Sequence, residues 1–253
     1  MIIIKSQREI GLIREAGKIV AQVFDELESF IVPGITTNEI AKKAEQIIRK
    51  AGGIPASKGY NGFPGAICTS VNDVIVHGIP NGKKLVEGDI VSCDVVVTYK
   101  GYNGDACRTF RVGKVSEEAD RLIKVTEECL QVALSLVKPG VHLSDISAAI
   151  QYHAETNGYS IVREFTGHGI GKSMHEDPMI PNYGEPGHGP ILKEGMTLAI
   201  EPMVLQGRKE CYTLSDGWTT KTMDGKLASH HENTIVVTKE GYEILTKLWK
   251  KEI

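Results

Sequence analysis

The stretch LVEGDIVSCD (residues 85–94) returns 107 residues later as LKEGMTLAIE (residues 192–201). Leu85 aligns with Leu192, Glu87-Gly88 with Glu194-Gly195, and Asp94 with Glu201. Each copy reads as a Glu-Gly turn followed by an apolar strand that ends in an acid. A second match lies upstream of each copy. VPGITTNEIAKKAEQIIRKAGG from Val32 resembles KPGVHLSDISAAIQYHAETNGY from Lys138, with Pro33-Gly34 against Pro139-Gly140, Glu39-Ile40 against Asp145-Ile146 and Gly52 against Gly158, an offset of 106. A shared Pro-Gly alone would be chance similarity between helix starts. Two matches at nearly one offset predict a single domain over 1–253 built from two related half-chains, approximately 6–112 and 113–250.

Periodicity fills in the halves. Ile10, Ile13, Gly17, Val20, Phe24, Leu27 and Ile31 carry helical apolar spacing over 6–31. Residues 36–53 have a polar start and a Gly stop, which predicts a second helix. Residues 66–112 are β-rich, 117–137 and 144–157 return to helix, and the remainder is strand and loop. The helix-helix-sheet order occurs twice, which places the chain in the α+β class with a pseudo-twofold and one shared sheet.

CDVVVTYKGYNGDACRTF (residues 93–110) reads as a β-hairpin, yet it carries Asp94 and Asp105. Asp is a poor strand residue. If the turn holds an even number of residues, such as Tyr99-Lys100 or Lys100-Gly101, both aspartates fall on one face. They are then either exposed on a wet face or held together by a cation. The repeat adds Glu201 as the counterpart of Asp94, and HENTIVVT (231–238) puts Glu232 at the head of another apolar strand. Four strand-borne carboxylates in two related halves point to convergence on a cleft, where a metal cluster would hold them.

Three of the eight histidines have suggestive settings: His77 in VIVHGIP, and His168 and His175 in REFTGHGIGKSMHEDP. His142, His153, His188, His230 and His231 are expected to be surface or packing residues. The glycine stretch also suggests a phosphate loop, but the pattern G-x-x-x-x-G-K-[ST] finds Thr166 where its first Gly belongs, and Pro178 would interrupt the following helix. The five cysteines are scattered without a C-x-x-C pair, which indicates neither a disulfide framework nor a thiolate zinc site. Hydrophobic content of 41%, charged content of 24% and a net charge of −3 are those of an ordinary globular protein. A pI near 6.3 offers no basic field for nucleic acid. The opening MIIIKSQREI becomes charged too soon for a signal peptide or a spanning helix, so a cytoplasmic protein away from membranes is expected.

Taken together, Asp94, Asp105, His168, Glu201 and Glu232 resemble the five-ligand set of the pita-bread metallopeptidases, family M24. The strings VHGIP, GHGIGKSMHEDP, AIEPMV and ENTIVVT resemble the type I methionine aminopeptidase branch, in the short bacterial form. Only 25 residues separate His175 from Glu201, too few for the insertion that marks the type II branch. One departure is Asn233, where many type I members carry histidine. Strand parity should turn it away from the face of Glu232.

The resemblance implies a pita-bread (creatinase/aminopeptidase) fold around a curved antiparallel sheet, acting as a single catalytic domain. It implies hydrolytic removal of N-terminal methionine from nascent proteins and peptides, with preference for a small second residue, through water activated by two divalent ions. Asp105 and Glu232 would bridge the ions, Asp94 would complete one shell, and His168 with Glu201 the other. Four carboxylates and one imidazole favour Mn²⁺, Fe²⁺ or Co²⁺, with Zn²⁺ also admissible. Glu201 would double as proton shuttle, His175 would stabilise the oxyanion, and His77 would contact the scissile amide. Tyr60, Phe63, Cys68, Met174 and Trp218 would line the methionine pocket. The expected partners are nascent chains and the ribosome, the expected state a monomer. The competing readings are a proline-specific pita-bread peptidase and a non-enzymatic binding protein of the same fold.

Overall fold

The computed structural model describes residues 1–247, so 248–250 of the second half-chain and the last residues of the 1–253 domain lie outside the described residues. Four helices stand where the sequence predicts them: α1 (Gln7–Phe30), α2 (Thr37–Lys50), α3 (Glu117–Ser135) and α4 (Leu143–Thr156). Capping fixes their starts. The Glu9 carboxylate accepts from the Ser6 N–H at 2.9 Å, and Glu39 does the same for Thr36 at 2.8 Å. In the second half, the Asp145 carboxylate accepts from the His142 N–H at 3.1 Å.

The aligned motifs reappear as matched hydrogen bonds. Gly34 N–H donates to Leu85 O at 2.7 Å, and Gly140 N–H to Leu192 O at 3.0 Å. Leu85 N–H returns to Ile35 O at 2.7 Å, and Leu192 N–H to Val141 O at 2.8 Å. The glycines of the two Glu-Gly turns, Gly88 and Gly195, both take positive φ (96° and 84°), a conformation that disfavours any side chain.

The strands form four antiparallel sheets among the described residues. The first centres on Ile90–Tyr99, flanked by Tyr102–Arg111 on one edge and by Cys68–Val71 and Ile54–Pro55 on the other. The largest runs Tyr242–Ile244, Asn233–Val237, Thr197–Ile200, Thr166–Gly169, Glu176–Pro181. Each buries one face under its own helix pair. Val91, Cys93, Val95 and Val97 pack with α1 and α2, while Leu198, Ile200, Ile235 and Val237 pack with α3 and α4. Alternation then sends Asp94 and Glu201 to the opposite faces, away from the helices.

The two large sheets meet along a seam. Glu232 N–H donates to Cys107 O at 3.0 Å, Asp105 N–H to Thr234 Oγ1 at 2.9 Å, and Thr234 Oγ1 back to Asp105 O at 2.7 Å. The Arg108 guanidinium, on the helix side, donates to Cys107 O at 2.7 Å and to Asn233 Oδ1 at 2.6 Å, and also reaches Glu232 O. The one shared sheet anticipated from the repeat is thus divided: two separate sheets abut here, joined by a backbone bond and side-chain bonds with no strand ladder between them among the described residues. Among the described residues, no helix is long and apolar enough to cross a membrane.

The approach of α1 to the hairpin sets the depth of this arrangement. A Cβ on Gly104 would lie 2.6 Å from Gly17 N, and one on Gly17 would lie 2.2 Å from Leu245 O. Gly11, on the same helix, has nothing within 4 Å of its Cβ position. Gly104→Ala should therefore cost about 3 kcal/mol by forcing backbone apart. Gly11→Ala should stabilise by about 0.5–1 kcal/mol through helix propensity. Urea midpoints of the two variants against the parent check this, and a Gly104→Ala midpoint equal to the parent's would contradict the close-contact account.

Candidate metal centre and substrate cavity

The hairpin register answers the question of its two aspartates. Tyr99 pairs with Tyr102, leaving Lys100-Gly101 as the turn, and Asp105 pairs with Val96, two residues from Asp94. Both carboxylates therefore share a face, and that face lines a cavity of about 170 Å³ together with His168, Glu201 and Glu232. His168 pairs with Ala199, two residues before Glu201, so strand parity also aligns those two side chains. Glycines admit the neighbouring backbone here: a Cβ on Gly169 would meet Asp177 O at 2.1 Å. Asn233 turns the other way, accepting from Arg108 and from Thr246 Oγ1 at 3.0 Å.

The donor set fits divalent metal. Asp94 Oδ1, Asp105 Oδ1 and Glu232 Oε1 are buried carboxylate oxygens without a hydrogen-bond partner. His168 Nε2 lies 3.5 Å from Glu201 Oε1 and 3.8 Å from Asp105 Oδ2, spacings of groups that face a common centre rather than of formed hydrogen bonds. Ligand atoms of Asp105, His168 and Glu232 all fall within 4.8 Å of one another. His168 Nδ1 is 2.8 Å from the Gly169 carbonyl, which can only accept. That contact puts the proton on Nδ1 and leaves the Nε2 lone pair facing the cavity, as a ligand requires.

Electrostatics agree. Burial pushes Asp94 up from 3.8 to about 6, against the pull of hydrogen bonds from Cys68 and Asp105. Asp105 is pushed well above its ordinary value by burial and then by the Asp94 charge. Glu201 and Glu232 rise strongly for the same reasons, burial first and neighbouring carboxylates second. Such a cluster must take up protons or cations, and two divalent ions match four negative charges. Burial, aided by His175, lowers His77 and His168 to about 4, and burial lowers His175, so all three imidazoles are neutral near pH 7.

Around the carboxylates stands an aromatic wall. Tyr60, Phe63, Cys68, His77, Met174, His175 and Trp218, each anticipated from the sequence, line the same cavity. The rings of Phe63 and Trp218 meet edge to face at 5.2 Å, and that of His77 meets Phe165 at 5.4 Å and Trp218 at 6.0 Å. His77 adopts φ 59°, a left-handed conformation that His tolerates better than most residues. The His175 loop is braced from two sides. Asn103 Nδ2 donates to Gly171 O at 3.1 Å and to Lys172 O at 3.0 Å, and Lys5 Nζ pairs with Glu176 Oε2 at 2.7 Å with both side chains buried.

Some neighbours of the site escaped the sequence reading. Ser57 and Val96 line the cavity, and Val96 was within reach of parity, two residues after Asp94. Of the two alternatives expected for His230 and His231, surface or packing, the structure has the second, and His230 goes beyond it by facing the carboxylates. Both are buried, and His230 Nε2 sits 3.6 Å from Glu201 Oε2 and from Glu232 Oε2. His231, one residue on, points to the other side and meets Glu127 at 3.3 Å.

A model of metallopeptidase family M24 matches residues 11–239. The chain is 51% identical over 248 residues to methionine aminopeptidase 1 of Bacillus subtilis, covering 98% of this chain and 100% of that one. It superposes on the crystal structure of methionine aminopeptidase from Rickettsia prowazekii with a TM-score of 0.96 and 44% identity, over 97% of this chain and 100% of that one. The likeness to prolidase from Pyrococcus furiosus is weaker, with a TM-score of 0.78 and 25% identity, and although it covers 98% of this chain it covers only 66% of the prolidase.

Metal-stripped protein should lose stability as pH rises. The carboxyls release protons at higher pH folded than unfolded, so their favourable, protonated state is fully present below about pH 4. For Asp94 it is lost as pH climbs from 3.8 through about 6. Added Mn²⁺ at pH 7.5 should raise the melting temperature of the parent, and Asp94→Asn should shrink that rise while making the metal-free form no less stable. Melting curves with and without chelator test this; an Asp94→Asn protein with the parent's full metal-induced rise would contradict it.

Proposed function

The chain belongs to metallopeptidase family M24, and we propose that it removes N-terminal methionine from nascent proteins and peptides, with the roles of its site residues as follows. The observation that carries this reading is the union, in one cavity, of an oxygen-rich ligand set with a wall of Phe63, Trp218, Met174 and Cys68. A metal centre alone would suit many hydrolases. The apolar pocket beside it suits one unbranched, polarisable side chain.

Asp94, Asp105, His168, Glu201 and Glu232 would hold two divalent ions. When bound, these ions supply Lewis acidity and lower the pKa of water far below its bulk value. The carboxylate and imidazole donors favour Mn²⁺, Fe²⁺ or Co²⁺, and Zn²⁺ is admissible. Glu201, its proton affinity raised by burial, accepts the proton of the attacking water and passes it to the departing nitrogen. Tyr60 OH lies 2.8 Å from His175 Nδ1. With the hydroxyl donating to Nδ1, the neutral imidazole presents Nε2–H to the cavity, where it stabilises the developing oxyanion. His77, on the rim formed with Phe165 and Trp218, contacts the scissile amide.

Preference for a small second residue is part of the same proposal. Because initiator methionine arises on newly made chains, the enzyme would work in the cytoplasm, as a monomeric single catalytic domain meeting its substrates near the ribosome.

Met-Ala-Ser should be cleaved with Mn²⁺ or Co²⁺ and not with chelator, while an Ala-Pro peptide and N-acetyl-Met-Ala-Ser should resist. Cleavage of the Ala-Pro peptide in preference to Met-Ala-Ser would shift the reading to a proline-specific peptidase, and absence of any cleavage would leave a binding protein. His175→Ala should retain both metals and lose about 100- to 1000-fold in kcat. His168→Ala should instead weaken metal binding. Metal stoichiometry measured beside steady-state kinetics distinguishes the two, and the reverse pattern would exchange their roles.

A further inference from the structure

We infer that His230 is a positioning residue of the metal centre, its Nε2–H serving as a donor shared by the outer oxygens of Glu201 and Glu232. This rests on the dinuclear reading above and deepens it. His230 ends the strand Ala228–His230 and is 2% exposed. Its Nε2 is buried and has no hydrogen-bond partner. That atom faces Glu201 Oε2 and Glu232 Oε2 at 3.6 Å each.

Two roles suit an imidazole so placed, ligand or donor, and its location decides between them. Glu201, His230 and Glu232 can bring ligand atoms within 4.8 Å of one another, which by spacing alone would suit a metal. Yet the five proposed ligands all line the cavity, and His230 does not. Glu201 therefore stands between two imidazoles: Oε1 lies 3.5 Å from His168, which lines the cavity, and Oε2 lies 3.6 Å from His230 behind. A lone pair on Nε2 would confront two acceptor oxygens and be repelled. An N–H there complements both. Each 3.6 Å gap exceeds a formed hydrogen bond, and the terminal carboxylate torsion is soft enough to close one to about 3 Å by a small rotation.

The backbone that carries this imidazole is tied to the hairpin. His230 N–H donates to Thr109 Oγ1 at 3.1 Å, and that hydroxyl donates to His230 O at 3.0 Å. Thr109 belongs to the strand of Asp105, so His230 holds the second-half carboxylates in register with the first-half ones. By taking the outer oxygens, it keeps the inner ones turned to the cavity.

The test is calorimetric titration of metal-stripped protein with Mn²⁺, comparing the parent with His230→Leu and His230→Gln, beside thermal unfolding without metal. His230→Leu fills the space without a donor and should lower Mn²⁺ affinity by about 10- to 100-fold. His230→Gln keeps an N–H and should bind close to the parent. Parental affinity in His230→Leu would remove the role. Affinity in His230→Gln as poor as in His230→Leu would show that the imidazole itself is required and overturn the donor assignment. If His230→Leu does not fold, His230→Gln decides alone: parental affinity supports the assignment and a comparable 10- to 100-fold loss of about that size overturns it. A parent that bound no divalent ion would instead sink the dinuclear reading, a distinct failure.

Discussion

Four carboxylates share one cavity, and their mutual repulsion is the constraint to which the rest of the molecule answers. Asp105 and Glu232 are almost wholly buried, and each has an oxygen that no hydrogen bond satisfies. Nothing in such a cluster holds itself together, because desolvated like charges push apart and favour the neutral acid. The scaffold supplies the restraint. Backbone and Thr234 hydrogen bonds tie the Asp105 strand to the Glu232 strand, and Arg108 clamps the same seam from behind. That restraint is what a preorganised site requires.

The internal repeat explains how such a seam arises. Each half contributes a helix pair over one face of a sheet and carboxylates on the other. Matched bonds, such as Gly34 to Leu85 and Gly140 to Leu192, hold the two halves in the same local geometry. Joining the halves brings two pairs of acids together that neither half would bury alone. The functional asymmetry is then added by unrepeated pieces: the His168–His175 stretch, braced by Asn103 and by the Lys5–Glu176 pair, and the aromatic wall of Tyr60, Phe63 and Trp218.

Much of this was legible in the chain because two simple periods carried it. The 3.6-residue period placed the first helix, a polar start and a Gly stop placed the second, and the two-residue period put Asp94 with Asp105 and turned Asn233 away from Glu232. Function was legible through motif resemblance, which named residues that the fold brings to one cavity. What escaped was what depends on contacts between distant strands. Arg108 reads as one more charged strand residue until the seam surrounds it. His230 sits two residues before Glu232, and parity could have flagged it. The loop-like run before HENTIVVT hid the fact that a separate short strand ends there, so the pair His230-His231 looked like exposed polar sequence. The division into four sheets among the described residues was equally hidden, since short strands and the register shift at His168/Gly169 leave no clear periodic trace.

Crystals grown with Mn²⁺ and measured at its absorption edge would test the central claim most directly. The account predicts two anomalous peaks in the cavity, one against Asp94, the other against His168 and Glu201, with Asp105 and Glu232 between them. Full-occupancy manganese elsewhere on the molecule, with the four carboxylates instead hydrogen-bonded to one another through retained protons, would contradict it.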